Sequence, residues 1–231
     1  MNRVPLPAVF AGVFAFGLIA LSPLRVAVGL AGGADTGLSV SRISGTIWGG
    51  ELKDAALREL ALGDLKAGLD PLALFTGKTR LRLKGDGPVA VDGGVVLGRK
   101  GLQLSHMSAS APLGALGAPS ALGGQLTLKD VTVRFRGDQC RRAKGLIQVT
   151  PAQGLPPVSG QIACRGNDAV AMLEGQGDGV AMRMDIRLSA KGSYVVRTRL
   201  QASNPGLLSL FGQAGFDVGP QDATRTDAGQ L

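Results

Sequence analysis

From Leu38 onward, apolar and polar residues alternate with a period of two, and glycines break the alternation into short runs. Thr79-Arg80-Leu81-Arg82-Leu83-Lys84 is the cleanest run, with Leu on one face and cations on the other, the pattern of a strand with one face in water. Similar runs begin at Leu38-x-Val40 and Gly45-Thr46-Ile47-Trp48 and continue through Leu57–Leu62, Leu65–Leu69, Val89–Val91, Val95–Leu97 and Leu102–Leu104. They resume at Gln125–Leu128, Val131–Phe135, Leu146–Val149, Gln161–Cys164, Ala169–Leu173, Met182–Leu188 and Tyr194–Leu200. Turn residues recur about every eight to twelve positions, which predicts an antiparallel meander rather than βαβ units. Two short segments break the period. Asp70-Pro71-Leu72-Ala73-Leu74-Phe75 predicts an N-cap, a proline at the first helical position and a helix to Thr76; Asn204-Pro205 predicts another over Pro205–Phe211. Residues 217–231 are polar and read as an edge strand or a tail.

The first segment follows a different rule. Val4 to Leu21 holds eighteen residues without a charge, about 27 Å as a helix and enough to span a thin bilayer. A cleaved signal peptide would need a small-x-small site close behind the apolar core, whereas Ala31-Gly32-Gly33-Ala34 lies well past it. The residues therefore favour a retained signal-anchor. The expected organisation is an anchor over 1–31, a linker over 32–37, an exported β domain over 38–216 and the polar segment 217–231. The fold class is mainly β: an N-terminal transmembrane helix, then a curved, groove-like antiparallel sheet with two short helices.

Charge sharpens the picture. The chain has 231 residues, 25 Lys+Arg and 17 Asp+Glu, and the excess is local. Residues 38–150 carry 16 Lys+Arg against 9 Asp+Glu, while the remainder after Thr150 balances at 7 against 7. Readers of single-stranded nucleic acid interleave aromatics with such cations; here only Phe135 lies within a basic cluster, so nucleic acid is not expected. Cys140 and Cys164 are the only cysteines and form no C-x-x-C motif. In an exported chain they most simply form a disulfide across one hairpin.

No motif asks for catalysis, a metal or a cofactor. Gly77-Lys78-Thr79 ends like a phosphate-binding loop, but Leu72 stands where that loop needs Gly. Gly175-x-Gly177-x-Gly179 lacks dinucleotide spacing and reads as a turn. His106 is the single histidine, and Leu104, Ser105 and Met107 beside it offer no carboxylate to orient it. One His and two Cys are too few for an ordinary zinc site. Trp48 is the single tryptophan. With Gly45 and Thr46 it marks a fold anchor or an interface anchor, since a strand would send Ile47 and Trp48 to opposite faces.

Pro23-Leu24-Arg25 closes the apolar segment, Gly37-Leu38-Ser39-Val40 follows, and then comes Ser44-Gly45-Thr46-Ile47-Trp48-Gly49-Gly50. Leu69-Asp70-Pro71-Leu72-Ala73-Leu74 precedes the basic strand, and Gly192-Ser193-Tyr194 enters a strand ahead of the Leu-rich helix ending at Phe211-Gly212. In this order the chain resembles protein N of the type II secretion system, the general secretion pathway protein N family. The resemblance implies a single-pass inner-membrane subunit with its β body in the periplasm. It would work by contact with other secretion subunits, with no catalytic residues to carry over. A second class also fits the binary pattern: a lipid-binding or lipid-transfer β-groove of the bacterial envelope, because a groove lining and a core look alike in sequence.

Overall fold

The structure is a computed structural model, and it describes residues 23–25, 38–57, 60–71, 73, 79–98, 101–116, 123–151 and 155–230. Within them the alternating runs become fifteen strands of one sheet: β1 (Leu38–Ser39), β2 (Arg42–Thr46), β3 (Gly49–Leu57), β4 (Leu60–Leu69), β5 (Thr79–Asp86), β6 (Ala90–Gly98), β7 (Gly101–Pro112), β8 (Gly124–Arg136), β9 (Gln139–Pro151), β10 (Val158–Arg165), β11 (Asp168–Gly177), β12 (Val180–Leu188), β13 (Ser193–Ala202), β14 (Asp217–Val218) and β15 (Asp222–Gln230). From β3 to β13 each strand pairs with the next in the chain, always antiparallel. The sheet stays open. β1 and β2 both pair with β3 at one end, and β13 continues through β15 to β14 at the other. The outermost strands β1 and β14 have two residues each, and β14 covers only Ala223 and Thr224 of β15.

Local chemistry explains the hairpins. Asp178-Gly179 joins β11 to β12 with both residues at positive φ, 49° and 74°, the preference of a tight primed turn that follows the sheet's twist. α1 (Pro205–Gln213) starts where it was predicted: the Asn204 side chain accepts a hydrogen bond from the Gly206 N–H, and proline opens the first turn. It lays Leu208 and Phe211 on the sheet, and Phe211 meets Phe216 with ring centroids 5.7 Å apart. Of the earlier helix, Pro71 and Ala73 are helical and the rest lies outside the described residues.

The core sits on one face. On β8, Val131, Val133 and Phe135 are buried while Arg134 and Arg136 are exposed. Ile147, Val149, Val158, Leu173, Met182, Leu200 and Ala223 extend this face across β9 to β15, beneath α1. A smaller cluster of Leu52, Ala55, Leu65 and Ala67 includes Leu24, and Val91 packs against both clusters.

The polar C-terminal segment contains a strand next to the sheet's edge: β15 pairs with β13 from Gln230 to Asp222, and on its other side β14 covers only Ala223 and Thr224. Backbone hydrogen bonds hold it, with Ala223 fully buried and Arg225 bonded to the Ala214 carbonyl and the Asp227 carboxylate. Ile47 and Trp48 are not strand residues; they form the two-residue turn between β2 and β3, where Thr46 pairs with Gly49. The anchor over 1–31 and the linker over 32–37 fall outside the described residues apart from Pro23–Arg25. Among the described residues no helix is long and apolar enough to cross a membrane.

Candidate functional site

The face opposite the core in β3 to β9 is polar, and register lines up its side chains. Lys66 of β4 pairs with Lys84 of β5, which pairs with Asp92 of β6. In the neighbouring row Gly68, Arg82, Gly94 and Ser105 follow one another across β4 to β7. Farther along, Gln103 pairs with Arg134, and Arg134 with Arg142. Paired residues share a face, so these rows border one groove of about 1220 Å³. Seven Lys and Arg line it against three Asp and Glu. Asp70 takes Arg82 at 3.1 Å and Arg80 at 3.6 Å, and Glu51 takes Lys66 at 3.7 Å. Lys84, Arg134 and Arg142 have no carboxylate within ion-pair distance among the described residues.

β-Bulges shape this face. Asp54, His106 and Asp130 take positive φ of 48°, 49° and 48° inside strands, at shifts of register between neighbouring strands. Such bulges bend a strand and increase its twist. His106 and Asp130 brace each other: the ring Nδ1 lies 2.5 Å from an Asp130 oxygen, and Lys144 Nζ lies 3.2 Å from the other. The His106 N–H also donates to Thr132 Oγ1. The carboxylate absent from the sequence neighbourhood of His106 therefore arrives from β8. The group is exposed, and no hydroxyl contacts the His106 ring among the described residues, so the pair reads as a brace for two bulges.

Hydrogen bonds from His106 and then Lys144 hold the Asp130 carboxyl below its ordinary range. A depressed carboxyl stabilises the fold above its unfolded-state value, and that contribution fades as pH falls through the folded-state value. Asp130→Asn tolerates the same left-handed backbone, removes the charge and leaves one acceptor oxygen where the carboxylate offers two. It should lower the melting temperature at about pH 7 and match the wild type near pH 2. An equal deficit at both pH values would show that the carboxylate's charge is not what matters.

The predicted cysteine pair is a disulfide, with Cα atoms 5.5 Å apart. It lies with the core rather than in the groove: Cys140 is buried and pairs with Phe135. Gly45, Thr46 and Trp48 belong instead to the β2–β3 hairpin. Gly45 has φ +86°, and a Cβ there would meet the Gly49 carbonyl oxygen at 2.6 Å. Gly45→Ala should therefore cost about 1–3 kcal/mol, whereas Gly49→Ala, whose Cβ meets nothing within 4 Å, should be nearly neutral; equal melting temperatures for the two variants would contradict this. Thr46 bridges to Pro23. Trp48 is half-buried and lines the groove, and the Ile47 carbonyl of the same turn accepts from the Leu69 N–H at 2.8 Å. The basic groove itself was missed in the sequence, because each strand alone looks like a solvated face.

The described residues thus define an open antiparallel sheet, packed on one side and carrying a basic groove on the other face of β3 to β9. The sequence pattern of the family type II secretion system (T2SS), protein N, matches residues 36–217, well over half of the chain. The chain belongs to this family, whose members are structural subunits of the secretion machinery; it is thus a component of type II secretion associated with the cell envelope. Neither the curated proteins nor the solved structures provide a match.

Proposed function

We propose that this chain is a non-enzymatic subunit of the type II secretion machinery, held in the inner membrane by the apolar segment Val4–Leu21 with its sheet in the periplasm. It works by binding other secretion subunits there. The observation that carries the reading is the family match over 36–217, which spans the sheet from β1 into β14. The uncharged run ahead of it supports the anchor, and the disulfide suits an oxidising compartment. In this reading Gly45 and Thr46 hold the hairpin, and Trp48 presents its ring at one end of the groove.

The test is purification of the tagged full chain from detergent-extracted membranes of secreting cells. Other secretion subunits should co-purify, and amino-terminal sequencing should begin at or beside Met1. Recovery of the chain without secretion subunits would refute the contact role; a start near Ala34 would refute the anchor.

A further inference from the structure

We propose that the basic groove across β3 to β9 is the docking site for an extended acidic polypeptide segment of another secretion subunit. This deepens the contact role above and rests on it.

The first ground is uncompensated repulsion. Two pairs of like charges face each other directly across neighbouring strands in this groove, Lys66 with Lys84 and Arg134 with Arg142. Directly opposed like charges destabilise a sheet. The sheet contains an internal comparison, because Arg183 faces Arg199 across β12 and β13. There the charges are answered: Arg183 lies 3.2 Å from Glu174 and 3.8 Å from Asp185, and Arg199 lies 3.4 Å from Asp222. Of these four cations only Lys66 makes an ion pair, with Glu51; Lys84 faces Asp92 across β5 and β6 without one, and Arg134 and Arg142 have no carboxylate within ion-pair distance among the described residues, so the arginine pair is the one left unanswered. An external anion would complete what the fold leaves open.

The second ground is spacing. The lysine pair lies on β4 and β5 and the arginine pair on β8 and β9, four strand spacings apart across the ladder, about 19 Å, and four residues apart along it, about 13 Å, because Arg134 shares its row with Arg80 rather than Lys84. A compact anion such as a phosphate or a lipid headgroup neutralises one pair. An extended polypeptide, advancing about 3.3 Å per residue, spans the resulting diagonal of about 23 Å with roughly seven residues.

The third ground is Gly94, on β6 between the two pairs. A Cβ there would meet nothing closer than 3.7 Å. Internal packing does not require glycine at this position, and the missing side chain leaves room for a backbone to approach.

The test uses the detergent-purified full chain and a fluorescein-labelled Glu-Gly repeat peptide of about twelve residues. Arg134→Ser with Arg142→Ser should raise the dissociation constant about tenfold or more at low salt. Arg183→Ser with Arg199→Ser removes the same net charge and should change it less than about twofold. The groove variant loses a repulsive pair, so its melting temperature should equal or exceed that of the wild type, which separates lost binding from lost fold. Equal weakening by both variants, or no binding by the wild type, would overturn the proposal. Displacement of the peptide by equimolar dihexanoyl phosphatidylglycerol would also overturn it and assign the groove to a compact anion. In the membrane purification, a groove variant that recovers secretion subunits as well as the wild type overturns the groove alone. A wild-type chain that recovers none overturns the contact role and the groove's partner with it.

Discussion

Leu200→Ala should destabilise the protein by about 2–5 kcal/mol, the range for truncating a leucine in a close-packed core. Leu200 is fully buried in β13, between Met182 of β12 and Ala223 of β15, which are also buried on that face. The ladder holds this row in place from both sides, so the space left by three missing heavy atoms closes only in part. Val195, on the same strand but 38% exposed, supplies the comparison: Val195→Ala should stay within about 0.5 kcal/mol. Thermal unfolding of the full chain in detergent measures both. Similar melting temperatures for the two variants would mean that β13 does not face a packed core.

Loss of the Cys140–Cys164 bond should have the next largest effect, about 3 kcal/mol for a loop closed over 24 residues. The bond acts where the ladder is thin. β9 pairs with β10 only from Leu146–Gln161 to Val149–Val158, so the Cys140 end of β9 lies beyond that ladder. On the β8 side it is held by the Phe135–Cys140 and Arg136–Gln139 pairs; toward β10 and β11, a backbone hydrogen bond from Cys140 N–H to the Asn167 carbonyl and the disulfide itself tie it down. Dithiothreitol should lower the melting temperature of the wild type and leave Cys140→Ser with Cys164→Ser unchanged. Alkylation of both thiols in unreduced protein made in an oxidising compartment would contradict the bond.

Much of this fold is legible one strand at a time. The alternation over Thr79–Lys84 and Val131–Phe135, the Asp178-Gly179 turn and the Asn204-Pro205 cap each state their geometry locally. What the sequence hid depends on register. An extra residue in a strand looks like any other residue, so the bulges at Asp54, His106 and Asp130 left no local mark. The His106–Asp130 contact joins residues 24 positions apart through one of those shifts. Ile47 and Trp48 have side chains that favour strands, yet the fold turns there because Gly45 can take the left-handed step just before them. Asp222–Gln230 lacks an apolar stripe, and its place in the sheet comes from backbone pairing with β13. The groove is the fullest case. Lys66, Lys84, Arg134 and Arg142 each alternate outward on their own strands, and only the assembled ladder sets them face to face.

The central claim, that this secretion subunit works through protein contacts made by its polar face, is tested most directly by photo-crosslinking in secreting cells. Lys84→p-benzoylphenylalanine places the reactive ketone in the groove, and the same substitution at Arg165, exposed at the end of the β10–β11 hairpin, samples another surface. The account predicts a light-dependent adduct at position 84 whose second component is another type II secretion subunit, with none at position 165. A secreting cell in which position 84 forms no protein adduct would contradict it.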